Sequence, residues 1–252
     1  MTGPARRVDC VVPAYNSEAF IARALDSIAA QTHDAIDTIV ADGGSSDGTV
    51  AIARAHPLAP RVVELDQATP PATRNAGLAA TAAPLIAFLD ADDMWLPDKI
   101  ATQLAFLDAN PDHEACVTLA RNVWQDDLGE EAAAFEGHWR AGPIAGYATI
   151  TLLARRSIFQ KIGAFREELW FSDATDWFVR VAEAGVKIGL VPEVLVHRRM
   201  HRSNLTRRLP DGARDEILNV VKRSRDHRRR DDGVTDFSGL PRFRGANGAS
   251  DA

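Results

Sequence analysis

Cysteine is scarce in this 252-residue chain, with only Cys10 and Cys116 present. Each sits in an apolar run that reads as a separate buried strand, and two thiols alone supply neither a disulfide framework nor a zinc site. A reducing, cytoplasmic setting is the expectation. Long apolar runs are lacking too. No stretch of about 18 apolar residues exists to cross a bilayer as a helix, and MTGPARRVDC at the N-terminus holds no signal-peptide core, so export is not expected. Internal repeats and low-complexity tracts are missing, and a hydrophobic content of 46% suffices for a sizeable core, which excludes collagen-like and wholly disordered chains. Positive charge is in deficit: 29 Lys/Arg against 35 Asp/Glu gives −6, which argues against a nucleic-acid partner.

That deficit is uneven. Residues 197–230 hold twelve Lys/Arg and four Asp/Glu, a local +8, leaving −14 for the rest of the chain. An acidic body with a basic C-terminal segment is the charge pattern to explain.

The first half alternates strand-like and helix-like runs. Apolar runs at 8–12, 38–41, 61–65, 85–89 and 116–119 predict strands. Between them fall predicted helices over about 20–28, with Ser17 as N-cap, 50–55, 70–80 opened by Pro70-Pro71, and from Pro97 onward. Strand and helix in alternation with short links predict an α/β fold, a mostly parallel sheet flanked by helices. The second half is less regular: an acidic, Gly-dotted loop or hairpin over 125–142, helices over 156–162 and 175–184, short strands at 186–191 and 194–196, and a terminal helix near 216–225. The expected organisation is one domain over 1–230, with halves of about 1–122 and 123–208 and a terminal helix within 210–230. A disordered tail is expected over 231–252.

Three polar clusters fall at predicted strand C-termini, where open α/β sheets place ligands: Pro13–Asn16, Asp42–Gly48 and Asp90–Asp93. In Asp90-Ala91-Asp92-Asp93 the carboxylates repel unless a cation or donors offset them. Oxygen-only ligands suit Mg²⁺ or Mn²⁺; the alternative is an acidic turn before the helix at Pro97. In Asp42-Gly-Gly-Ser-Ser-Asp47-Gly48-Thr49 the glycines admit a ligand to the backbone, Asp42 suits a base N–H or ribose hydroxyl, and Asp47 suits a helix cap. No Gly-Lys-Ser/Thr follows, so this is not a Walker loop, and no GxGxxG follows the first strand.

Taken in order, Pro13-Ala-Tyr15-Asn16, Asp42-Gly-Gly-Ser-Ser-Asp-Gly-Thr49, Thr73-Arg74-Asn75-Ala-Gly77 and Phe88-Leu-Asp90-Ala-Asp92-Asp93 resemble the family 2 glycosyltransferases. The likeness covers roughly residues 7–200, more weakly after 120. It implies a GT-A fold, a nucleoside-diphosphate sugar donor with UDP favoured, Mn²⁺ or Mg²⁺, and inversion at the anomeric carbon. Carried over residue by residue, it implies a nucleoside pocket lined by Pro13, Tyr15 and Asn16, with Asp42 on the base. Arg74 would lie near the phosphates, Asp90 by the ribose and sugar, and Asp92 on the metal. Gly43 stands where many relatives carry a second Asp.

The family's base lies in a Glu-Asp pair before an amphipathic helix. Here the matching stretch is Phe171-Ser-Asp173-Ala174-Thr-Asp176-Trp177-Phe-Val-Arg180, with Asp173 on the usual Glu and Ala174 on the usual Asp. Asp173 and Asp176 are therefore both candidate bases, the alternatives being a helix N-cap and a first-turn acid. Trp177 reads as sugar platform or core. Relatives often close the donor site with a basic, histidine-containing segment, matched here by His197-Arg198-Arg199-Met200-His201-Arg202-Ser-Asn204. Arg198 and Arg199 would meet the diphosphate, and His201, or else His197, would complete the metal site or contact the diphosphate; the alternative is a surface basic loop. Lys222–Arg230 reads as a solvated helix end, or a weak contact for anionic membranes. The acceptor stays open between saccharide, lipid-linked, peptide and small-molecule classes. Two rival readings stand: a catalytically silent nucleotide-sugar binder, suggested by Ala174, and an anionic-surface binding module using residues 197–230.

Overall fold

The computed structural model of the protein describes residues 6–145, 147–207, 215, 216, 218–220 and 222–224. The tail expected over 231–252 lies outside them. The first half follows the predicted alternation: β1 (Val8–Ala14), α1 (Ile21–Ala29), β2 (Ile36–Asp42), α2 (Thr49–Ala55), β3 (Arg61–Glu64), α3 (Pro70–Ala79), β4 (Leu85–Phe88), the short β5 (Met94–Trp95), α4 (Lys99–Ala109) and β6 (Ala115–Trp124). A turn region with α5 (Gly129–Ala134) replaces the expected loop or hairpin, and β7 (Ile144–Ala145) pairs with β6. Then come β8 (Leu152–Arg155), α6 (Arg156–Ile162), α7 (Asp173–Glu183) and β9 (Ile188–Met200). Residues 215, 216, 218–220 and 222–224 are helical.

The sheet runs β3-β2-β1-β4-β8-β6-β9-β5. Its first four strands are parallel. Beyond them the pairing is mixed, because β8 enters antiparallel between β4 and β6, and only β6 and β9 run parallel. Apolar runs in sequence carry no sign of strand direction, so the mixed half is the part that periodicity does not predict. A second difference lies at the sheet's far side. The two short strands expected around Pro192 are one strand, β9, with register shifts against Thr118–Ala120. Proline cannot donate to the ladder, so the strand bulges there and resumes. In consequence His197–Met200 belong to a strand and not to a loop after it.

Strand alternation splits the interior into two cores. Cys10, Val12, Leu85, Ala87, Cys116 and Leu153 face α1, α2 and α4. Val11, Ile86, Phe88, Val117, Leu152 and Ala154 face α3, α6 and α7. Trp177 is fully buried in the second core, stacked on Phe159 at 4.8 Å, so it is packing and not a sugar platform. Helix α3 begins as expected, with Thr69 as cap and Pro70 at its first position. It lies so close to the sheet that a Cβ on Gly77 would fall 2.3 Å from Val11 Cγ1. Ser17 does not cap α1: its hydroxyl donates to Tyr15 O, its N–H donates to Thr49 Oγ1, and the helix starts at Ile21.

One core feature is ionisable. Lys99 is fully buried, its Nζ donating to Gln103 Oε1 at 2.7 Å and lying 4.3 Å from the Trp95 ring centre. Burial lowers its pKa to about 7. Burial also pushes the Cys116 thiol up to about 12, so no thiolate forms there to pair with the amine. In the unfolded chain the amine titrates near the ordinary value of about 10.4. Between those values the unfolded state binds a proton that the folded state does not, so stability rises with pH across the window and the penalty is complete below about pH 7. Lys99→Met is therefore expected to gain about 2.5 kcal/mol relative to the parent between pH 9 and pH 6, at about 1.4 kcal/mol per pKa unit. Urea unfolding of both proteins at the two pH values tests this, and an equal difference at both would refute it.

Candidate active site

The parallel register aligns the ends of β1, β2 and β4, with Ala14 opposite Asp42 and Val11 opposite Phe88. The residues just past these ends therefore meet at one edge. Asn16 adopts a positive φ of 47°, which asparagine tolerates. Its N–H donates to Ser45 Oγ at 2.8 Å and its Oδ1 accepts from Ser46 N at 2.9 Å, stitching the first cluster to the second. Asp42 is 2% exposed and serves its own turn, accepting from Gly44 N at 3.1 Å, Ser45 N at 2.8 Å and Ser45 Oγ. Gly44 takes φ +92°, and a Cβ there would meet Gln67 N at 2.7 Å. Pro13 is half-buried on β1 beside this turn, and Tyr15 leaves its ring open, 62% exposed. Asp47 lies one residue before Gly48, the N-cap position of α2, and accepts from Thr49 N and Thr49 Oγ1.

Arg74 projects from α3 towards this edge. It is 8% exposed, its Nη1 pairs with Asp173, and its Nη2 lies 3.7 Å from Asp90 Oδ1. The Phe165 ring lies 5.4 Å from its guanidinium carbon. Arg74 Nε and Asp90 Oδ1 are both buried without a hydrogen-bond partner. One arginine thus joins two residues far apart in sequence, Asp90 after β4 and Asp173 at the start of α7. Burial raises the Asp173 carboxyl above its ordinary value, with Arg74 opposing. Burial also raises Asp90, Arg74 opposing and Asp92 and Asp173 adding to the rise.

Asp176 lies one helical turn on and is held differently. Its oxygens accept from Arg166 Nη1 and Arg180 Nε, each at 2.8 Å, and Arg180 continues to the carbonyls of Ile162 and Ala164. The structure thus brings Asp173 to Arg74 and Asp90, and seats Asp176 among the arginines that tie α7 to the loop before it.

Asp90, Asp92 and Asp93 each place a carboxylate oxygen within 4.8 Å of the others. Asp93 is 3% exposed and raised well above the ordinary carboxylate range by burial and by Asp92 and Asp90, while its Oδ1 accepts from Arg199 N at 2.8 Å. Asp92 Oδ2 accepts from His201 Nε2 at 2.9 Å and from Asn204 Nδ2 at 3.2 Å. His201 Nδ1 lies 2.8 Å from Ser203 Oγ, and its ring packs on Phe20 with centroids 4.2 Å apart. Three carboxylates gathered this closely, one with an orphaned oxygen, beside an imidazole, make a donor set that fits a divalent cation.

The two neighbouring arginines part company. Arg198 is half-buried and its charge favours the ionised forms of Asp90 and Asp93. Arg199 is 4% exposed, with its guanidinium 5.4 Å from the Phe20 ring centre and both Nη atoms buried without a hydrogen-bond partner. Burial and nearby Arg23 lower its pKa. It lines a cavity of about 410 Å³ with Arg23, Met94, Trp124, Gln125 and Asp127, on the α1 side. His197 sits in register with Met94 and Arg121, and burial followed by Arg121 lowers its pKa, so His201 is the histidine that reaches Asp92. Sequence reasoning did not single out Asp93 or Asn204 as partners in this turn. The Asp-Asp doublet was a visible signal for Asp93, whereas no local pattern marks Asn204, which meets Asp92 across 112 residues.

Such a fold, with acidic, arginine and histidine groups gathered at the sheet's ligand edge, is that of the GT-A glycosyltransferases. The family model Glycosyl transferase family 2 matches residues 9–163, and the chain belongs to that family. An uncharacterized glycosyltransferase of Nostoc sp. is 25% identical over 217 residues, 79% of this chain and 66% of its own length. The chain spans 57–66% of the length of the first curated relatives it matches over most of its own length. Among solved structures, S. aureus TarS 1–349 in complex with UDP-GlcNAc superposes with a TM-score of 0.69 at 17% identity, covering 86% of this chain and 66% of that one. The mannosyltransferase PcManGT from Pyrobaculum calidifontis, in complex with GDP-Man and Mn²⁺, gives 0.66 at 21% identity, covering 90% and 66%. Among the described residues, no helix is long and apolar enough to cross a membrane.

Proposed function

We propose that the protein is an inverting, divalent-metal-dependent glycosyltransferase, moving one sugar from a nucleoside-diphosphate sugar to an acceptor hydroxyl. The observation that carries this reading is Arg74, which holds Asp173 and Asp90 together beside the Asp92–His201 pair. Pro13, Tyr15 and Asn16 line the nucleoside pocket. Asp42 shapes its turn and keeps a lone pair for a base N–H, since a carboxylate offers about four acceptor sites and three are used. Asp92 and His201 would hold Mn²⁺ or Mg²⁺, with Asp90 towards the ribose and sugar. When bound, that ion neutralises charge developing on the diphosphate oxygens.

Asp173 accepts the proton of the acceptor hydroxyl. The acceptor oxygen bonds to the anomeric carbon from the face opposite the diphosphate, and the bond from that carbon to the diphosphate oxygen breaks, its electron pair leaving with the diphosphate. Arg74 and Arg198 set positive charge beside that departing group. Arg199 braces the acidic turn through its N–H on Asp93. UDP is the first nucleotide to try, because TarS is solved with UDP-GlcNAc, and GDP the second, because PcManGT is solved with GDP-Man.

The test is a screen of UDP-, GDP- and dTDP-sugars with Mn²⁺ or Mg²⁺, reading nucleotide binding and release of nucleoside diphosphate. Metal-dependent binding with turnover of at least one donor is expected. Binding without turnover assigns the silent-binder role that Ala174 suggests. No binding of any nucleotide overturns the reading.

A further inference from the structure

The loop that delivers Asp173 is tied to a segment far along the chain. Trp170 is 48% exposed and stacks on its neighbour Phe171. Ser172 occupies the N-cap position of α7, yet its side chain caps no helix amide. One carboxylate from far along the chain does the holding. Glu216 Oε1 accepts from Trp170 N at 3.2 Å, and Glu216 Oε2 accepts from Phe171 N at 2.9 Å, Ser172 N at 3.2 Å and Ser172 Oγ at 3.1 Å. Three consecutive amides and a fully buried hydroxyl converge on a single side chain, immediately before the residue that starts α7. Glu216 sits in the helical C-terminal segment, in which Val220 and Ser224 are 2% and 5% exposed.

We propose that Glu216 is a positioning residue for Asp173, clamping residues 170–172 so that helix α7 presents the Asp173 carboxylate to the acceptor hydroxyl. The proposal rests on the reading of Asp173 as base. The chemistry asks for a carboxylate at this point. An ionised acid is acceptor-only and takes several N–H donors at once. Its negative charge also complements the amino end of α7. Glutamine in its place keeps one acceptor oxygen and turns an NH₂ group towards donors, so it fills the space without reproducing the clamp. The C-terminal segment thereby belongs to the catalytic unit, although its basic composition alone suggests a solvated helix end or a weak contact for anionic membranes.

The experiment compares Glu216→Gln, Glu216→Ala and Glu216→Asp in the full chain, with Asp173→Asn in parallel. Three readouts apply: Mn²⁺–UDP affinity, kcat with the donor found by the screen, and hydrogen exchange at residues 170–172. Misplacing a reacting group by about 1 Å can cost 100-fold. A fall of about 10- to 100-fold in kcat is therefore expected for Glu216→Gln, with Mn²⁺–UDP affinity within about twofold, faster exchange at 170–172, and partial recovery in Glu216→Asp. Faster exchange with parental kcat in Glu216→Gln, alongside an inactive Asp173→Asn, overturns the clamp and leaves the base reading intact. Parental turnover in Asp173→Asn overturns the base reading itself, and the clamp with it. Glu216→Gln is nearly isosteric and carries the test if Glu216→Ala fails to fold.

Discussion

Asp173→Asn is expected to lower kcat by about 1,000-fold while Mn²⁺–UDP binding stays within a few-fold of the parent, because general-base removal costs about 10²- to 10⁴-fold. The amide keeps the size of the acid and removes its capacity to accept the acceptor's proton. Single-turnover release of UDP, beside a binding titration with Mn²⁺ and UDP, separates the two effects. Weakened nucleotide binding with unchanged chemistry would instead make Asp173 a donor-site residue acting through Arg74. Asp176→Asn supplies the contrast. Its oxygens serve Arg166 and Arg180, and the side chain is 5% exposed, so its loss leaves cations without their partner. A buried pair broken on one side costs roughly 3–5 kcal/mol, less here because Arg166 is 38% exposed. That variant should therefore lose stability while its folded fraction keeps its chemistry.

The same geometry fixes the direction of the pH response. Burial raises Asp173 above the ordinary carboxylate range, and Arg74 pulls it back. In the proposed role Asp173 works only when deprotonated, so turnover is expected to fall as pH drops through its value, which lies higher than for an exposed aspartate. Removing the Arg74 charge takes away the opposing influence and moves this acid limb to higher pH. Arg74 also neighbours Asp90, at 3.7 Å, so its loss is expected to affect both carboxylates together.

Much of this site was legible because it is local. Pro13–Asn16, Asp42–Gly48 and Asp90–Asp93 each follow an apolar run, and parallel strands with short crossovers must bring such ends to one edge. The pairing of Asp92 with His201 was open to expectation only through family likeness, since 109 residues separate them. The different settings of Asp173 and Asp176 were not legible in the sequence. Both occupy the first turn of one helix, and the difference lies in which arginine each meets, Arg74 from α3 or Arg180 from the same helix. Directionality in the second half was equally hidden, because β8 reads as an apolar run whether it enters the sheet parallel or antiparallel. The C-terminal segment is a related case. Its twelve cations draw attention, whereas the residue that meets the loop before α7 is one of its few acids, Glu216.

Asp92→Asn addresses the other half of the chemistry. Asp92 Oδ2 is where His201 Nε2 and Asn204 Nδ2 converge, so this carboxylate organises the turn as well as offering itself to a cation. Replacing even an outer-shell partner of a metal ligand typically costs about 10- to 100-fold in metal affinity, so losing a ligand charge should cost at least about 100-fold. The expected result is Mn²⁺-dependent UDP binding weakened by that factor, with any metal-independent affinity for UDP preserved through Pro13, Tyr15, Asn16 and Asp42. Stability should not fall with it. Asp90, Asp92 and Asp93 repel one another, and both Asp90 and Asp93 are raised in part by Asp92, so neutralising Asp92 relieves strain in the metal-free protein. A variant that melts at or above the parental temperature yet no longer responds to Mn²⁺ is the signature of a cation site held under electrostatic tension. A variant that melts lower and still binds Mn²⁺–UDP normally would assign Asp92 to anchoring His201 and Asn204, and would move the metal to Asp90 and Asp93.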